Sequence, residues 1–110
     1  MPWLVRDDEV LATVEVADGM VGRIRGLLGR DGVDGAFLLR PTRSVHTIGM
    51  RFPIDVAFCD KGLTVVAILC GVVPNRLTRP RLRARGVIEA EAGAFERWHL
   101  APGDALVIRE

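Results

Sequence analysis

Two runs, Phe52–Cys59 and Leu63–Cys70, are apolar at nearly every position and have no polar face. Continuous apolar strands are normally buried on both sides. The pattern therefore predicts a hairpin at the centre of the fold, turned at Asp60-Lys61-Gly62, with glycine in the left-handed position of a three-residue loop. Val10–Val16 alternates instead, with Val10, Ala12, Val14 and Val16 on one side and Thr13 and Glu15 on the other, the pattern of a half-buried strand. Met20, Ile24, Leu27 and Leu28 fall on one helical stripe that Asp18 can cap and Gly29 can stop, predicting a helix over 20–28. Gly22 and Gly26 each weaken it by about 1 kcal/mol relative to alanine.

Asp/Gly turns precede a brief strand at Ala36–Arg40, which Pro41 ends. Residues 71–86 form a long connection with two prolines and five arginines. Val87–Ala90 predicts a short strand, residues 92–98 a helical turn and Ala105–Arg109 a final strand. The expected fold is mostly β with short helices: a single domain over 1–110, antiparallel and barrel-like or sandwich-like.

Composition narrows this picture. A chain of 110 residues supports one substantial core. With 5% aromatics and no tyrosine, that core must be built from Val, Leu, Ile and Ala, and a base-stacking platform is not expected. Net charge is +1, so no global field draws the chain to nucleic acid or an anionic membrane. Fourteen of the fifteen basic residues are arginine, a bias that suits forked anion contacts and that a GC-rich genome also produces. The N-terminal MPWLVRDDEV meets acids by Asp7 and has no apolar signal core, and no run approaches the roughly 20 apolar residues of a membrane span. A soluble cytoplasmic protein is expected. Cys59 and Cys70 flank the hairpin turn at unequal distances, so no disulfide is expected between them.

Three segments carry a family resemblance: Arg23–Asp60, containing Arg25-Gly26-Leu27-Leu28, Pro53-Ile54-Asp55 and Phe58-x-Asp60; Val87–Gly93, with Glu89 and Gly93; and Leu100–Leu106, with Gly103-Asp104. Together they resemble the domain of unknown function 192 family, small and largely β domains found mainly in bacteria and archaea. Many relatives carry a Trp-Met-Lys-Asn-Thr type segment before Pro-x-Asp, where this chain has His46-Thr47-Ile48-Gly49-Met50. Relatives also often follow a signal peptide. The resemblance implies a fold class and a surface of interest, and no reaction.

The stretch Ser44–Asp55 gathers the chemically capable residues. His46 and Met50 could serve a soft metal ion, with Cys59 and His99 elsewhere, but Gly49 argues against a helix that would align them. No C-x-x-C, H-E-x-x-H, Walker A or dinucleotide fingerprint is present, and no cofactor is expected. Asp55 opens an apolar strand and must find donors, with Arg51 or an arginine of the 71–86 loop as the expected partner. If residues 79–85 are extended, Arg79, Arg81, Arg83 and Arg85 share one face while Leu82 and Ala84 point inward.

The leading expectation is a non-catalytic binding or accessory module. It would recognise a small anion or an acidic protein through the His46–Arg51 loop and the arginine-rich 76–85 edge. His46, Thr47, Met50, Arg51, Asp55, Arg25, Arg79 and Arg81 are the candidate ligand-binding residues. The alternative is a small hydrolase-like enzyme using Asp55 and His46 as an acid/base pair. Neither membrane nor nucleic acid is an expected partner.

Overall fold

The computed structural model describes residues 2–18 and 30–110, with the side chain of Asp18 excepted. The helix predicted over 20–28, and Arg25 with it, lies outside the described residues. The described elements are β1 (Trp3–Arg6), β2 (Glu9–Asp18), β3 (Ala36–Arg40), β4 (Ile54–Cys59), β5 (Val65–Val72), β6 (Gly86–Glu91), α1 (Ala94–Trp98) and β7 (Val107–Arg109). One seven-stranded sheet contains all the strands, in the order β5-β4-β6-β3-β2-β1-β7. β2 and β3 pair in parallel and the other neighbours are antiparallel.

The two ends of the sheet meet at a corner. Thr64 bridges Ala105 just ahead of β5 and β7. Val65 donates to the Asp104 carbonyl at 2.9 Å, Gly103 to that of Val65 at 2.8 Å and Leu106 to that of Leu63 at 3.1 Å. The sheet is not a closed barrel, but it curls far enough to enclose a core.

Strands β3, β4 and β6 are buried along almost their whole length because each faces apolar material on both sides. On one side Ala36, Leu38, Ala57, Cys59, Ile88 and Ala90 pack with Phe95 of α1. On the other, Phe37, Leu39, Val56, Phe58 and Val87 pack with Val45, Met50 and Ala84 from the two long loops. The helix thus closes one core and the loops close the other. A fully buried Phe58 contributes about 3 kcal/mol of transfer free energy to the second.

Several local expectations change. β1 extends the sheet at its N-terminal end, and its short Trp-Leu-Val-Arg run carries no alternation long enough to signal a strand. The predicted hairpin is not at the centre of the sheet: β4 is fully buried but second in the strand order, and its partner β5 lies at the end and is only half-buried. Leu63, not Gly62, takes the left-handed backbone (φ 66°). The Asp60 carboxylate accepts from the amides of Gly62 and Thr64, both at 2.9 Å, and this side-chain turn holds the chain in that conformation. Residues 79–85 are not a strand. The chain turns where Ala84 donates to the Arg81 carbonyl, leaving Leu82 84% exposed while Ala84 is fully buried.

Candidate binding face and groove

Asp55 is buried beside α1 and is held by backbone alone. One carboxylate oxygen accepts from Gly71 at 2.8 Å, and the other from Gly93 at 3.0 Å and Phe95 at 3.1 Å. No arginine reaches it among the described residues. The carboxylate ties β4 to the end of β5 and to the left-handed turn at Gly93 (φ 95°) that starts α1. Three charge-assisted bonds make it a structural keystone.

His46 is exposed and belongs to the other side of the sheet. Asp55 shares the strand parity of Ala57 and Cys59 and lies on the α1 side, whereas Val45 and Met50, which bracket His46, enter the opposite core. The acid/base pair of the enzymatic alternative is therefore not assembled. Met50 is buried while His46 faces out, so these two do not converge on an ion either. Among the described residues no group of three or more His, Cys, Asp or Glu could hold a metal. Both cysteines are free. Burial first, and Asp60 second, push the Cys59 thiol up to about 12, which removes it as a nucleophile near neutral pH.

The two loops form one layer. The Arg43–Ile48 segment runs antiparallel to the Asn75–Arg81 segment, with His46 bridging Leu77. Thr47 donates its amide to the Arg76 carbonyl at 2.8 Å, and its carbonyl accepts from Asn75 at 2.9 Å. Its buried hydroxyl donates to the Val73 carbonyl at 2.7 Å and accepts from the Arg76 amide at 2.9 Å. Thr78 exchanges bonds with Val45 on both sides, its amide donating to the Val45 carbonyl and its hydroxyl accepting from the Val45 amide. Arg81 donates its amide to the Arg43 carbonyl at 3.0 Å.

Val45, Thr47 and Met50 point inward, so His46 and Ile48 point out beside Leu77. Ile48 is 57% exposed and Leu77 76% exposed. Thr47 and Met50, expected as ligand contacts, instead anchor the layer from beneath. Of the expected arginines, Arg51 pairs with Asp31 at 2.8 Å on the surface, a contact worth little in water. Arg81 lays its guanidinium 5.1 Å from the centre of the Phe58 ring, and its buried Nε has no hydrogen-bond partner among the described residues. Arg79 and Arg83 are exposed.

Sequence reasoning did not anticipate a groove at the ends of β3, β4 and β6. Its volume is about 650 Å³ and it is lined by Arg40, Pro41, Asp60, Lys61, Leu63, Arg85 and Gly86. A hollow of about 240 Å³ adjoins it through Pro41 and Arg85 and adds Thr42, Arg43 and Ala84. The groove joins segments about twenty residues apart, so no local motif announces it.

Glu89 also lacks a sequence signal for its environment. It is 3% exposed on the second-core side of β6, between Phe37 and Val56, and makes no hydrogen bond or ion pair with a described residue. Burial pushes its carboxyl up to about 7.

The fold has counterparts of known structure. A protein of unknown function from Novosphingobium aromaticivorans DSM 12444 is 18% identical, with a TM-score of 0.80 over 96% of this chain and 82% of that one. A protein from Sinorhizobium meliloti 1021, described as a "putative transcription regulator", is 26% identical, with a TM-score of 0.82 over 96% of this chain and 90% of that one. No curated protein matches the chain. Residues 3–108 match the model of the family described as Uncharacterized ACR, DUF192. With nearly its full length matched and its fold shared, the chain belongs to the DUF192 family.

Proposed function

We propose that this protein is a non-catalytic binding module whose two-loop layer recognises an acidic polypeptide segment bearing apolar side chains. One observation carries the reading. Residues 41–54 and 71–88 hold seven of the fourteen arginines and none of the fourteen acids of a nearly neutral chain. Within them, residues 42–47 and 75–85 are hydrogen-bonded into a single layer. Ile48, Leu77 and Leu82 stand exposed among the arginines. An apolar anchor in a cationic rim is the complement of an acidic, amphipathic partner. Recognition residues concentrate on loops held by a rigid scaffold, and the Thr47 and Thr78 bonds supply that rigidity.

The structural relative from Sinorhizobium meliloti is described in terms of transcription. A net charge of +1 and only six aromatics, with Phe37, Phe58 and Phe95 buried in the cores, favour a protein partner over nucleic acid. Fluorescence anisotropy with a labelled peptide of glutamates flanking leucines tests the reading. Binding should weaken with salt and fall about tenfold or more when Arg79 and Arg83 are changed to Glu, since each lost charge contact is worth about 1.5 kcal/mol. A peptide with glutamine in place of glutamate should not bind. Equal binding of both peptides, or indifference to the charge reversals, would refute it.

A further inference from the structure

We propose that the groove at the ends of β3, β4 and β6 is a separate site for a small organic oxyanion, a carboxylate or phosphate carried on an apolar body. The inference goes beyond the loop layer and stands or falls independently of it. Two cations from distant segments line the groove, Lys61 in the β4–β5 turn and Arg85 just ahead of β6, and Arg40, which has bonding of its own, adds a third basic residue at the end of β3. The one acid lining it, Asp60, already spends a carboxylate oxygen on the amides of Gly62 and Thr64. Lys61 and Arg85 thus outnumber the one lining acid in a chain whose overall charge is close to zero.

The groove is also built to hold its shape. Arg85 donates its amide to the Cys59 carbonyl at 2.8 Å, fixing the approach to β6 against the end of β4. Its guanidinium is braced on the Leu82 and Ala84 carbonyls at 3.0 and 2.9 Å through one nitrogen, Nη1. Leu63 is set at the wall by its left-handed backbone and by the hydrogen bond its amide donates to the Asp60 backbone carbonyl at 3.0 Å. Pro41 and Leu63 supply apolar surface between the charges. A volume of about 650 Å³ lies within the range of small-molecule sites, and the adjoining hollow beside Arg43 leaves room for a longer body. Charges for the oxyanion and apolar wall for the rest of the molecule define the ligand class, and both carboxylates and phosphates satisfy it.

Calorimetric titration at low ionic strength with phenyl phosphate, phenylacetate and inorganic phosphate tests this proposal. Saturable binding of phenyl phosphate or phenylacetate is expected, and which of the two binds more tightly identifies the oxyanion. Lys61→Glu should weaken it about tenfold or more, the effect of one charge-assisted contact, and Lys61→Arg should retain it. Lys61 is exposed on a turn, so both variants keep the fold. The Arg79→Glu, Arg83→Glu double variant should bind these small anions as the parent does, whatever it does to the acidic peptide. Absence of saturable binding by any of the three probes would overturn the proposal, as would equal losses from the Lys61 and loop-layer variants. Inorganic phosphate binding as tightly as phenyl phosphate would overturn the role of the apolar wall.

Discussion

Asp55 and Glu89 are both carboxylates on buried strands, yet their surroundings are opposite. Asp55 collects three backbone amides, while Glu89 has no described partner between Phe37 and Val56. The difference makes Glu89 a measurable pH sensor of stability. Burial pushes its carboxyl in the folded chain up to about 7, from an ordinary value near 4.5. Below 4.5 it is protonated in both folded and unfolded chains and costs nothing. As pH rises from 4.5 through 7 the unfolded chain has released its proton while the folded chain still holds it, so stability falls. Above 7 the penalty is complete, on the order of 3 kcal/mol. Glu89→Gln should therefore raise the melting temperature relative to the parent at pH 8 and leave it nearly unchanged at pH 4.5. A difference that stays constant across this range would refute the assignment.

The same two residues mark what the sequence could and could not convey. That Asp55 needed donors followed from its apolar neighbours. That the donors would be amides 16, 38 and 40 positions away could not follow, because any residue but proline offers an amide. An arginine was the visible candidate, and the fold supplied backbone in its place. Asp60, Gly93, Gly103 and Asp104, four of the residues that carried the family resemblance, likewise prove to be framework. Asp104 binds the Arg6 guanidinium and the Ala101 amide, and Gly103 takes a left-handed turn at the sheet corner.

At the scale of elements, β2, β3, β4 and β6 were legible because their apolar runs match what they bury. The pattern did not distinguish β5 from β4, since β-branched apolar residues report a strand without reporting its neighbours. The arginine-rich 79–85 segment imitates an alternating strand, but Pro80 and the turn at Arg81–Ala84 break the ladder, and its arginines disperse to Phe58, to carbonyls and to solvent.

The loop layer is the element on which the function rests, and Thr47 is its hub. Thr47→Val preserves shape and removes both hydroxyl bonds, leaving the Val73 carbonyl and the Arg76 amide short of a partner. The expected cost is about 2–3 kcal/mol. Hydrogen exchange should quicken at the amides of Asn75, Arg76 and Thr78 while those closing α1, such as His99 and Leu100, remain protected. Uniform loss of protection across the chain would show that the loops are not a separate unit.

Across the whole molecule, the α1 side carries the keystone carboxylate and the sheet corner, and the opposite side carries the acid-free loops. No helix among the described residues is long and apolar enough to cross a membrane. A near-zero net charge conceals this division: composition alone excluded a global field, and the fold brings together two acid-free stretches that hold half of the arginines. The groove lies where β3, β4 and β6 end, adjoining that layer through Arg85, so a partner on the layer and an anion in the groove would be neighbours without sharing their principal contacts. Amide chemical-shift mapping with the glutamate–leucine peptide tests the central claim most directly. Saturable shifts confined to residues 43–49 and 75–83 are the predicted result. Shifts centred on α1 or β7, or spread evenly over the chain, would contradict it.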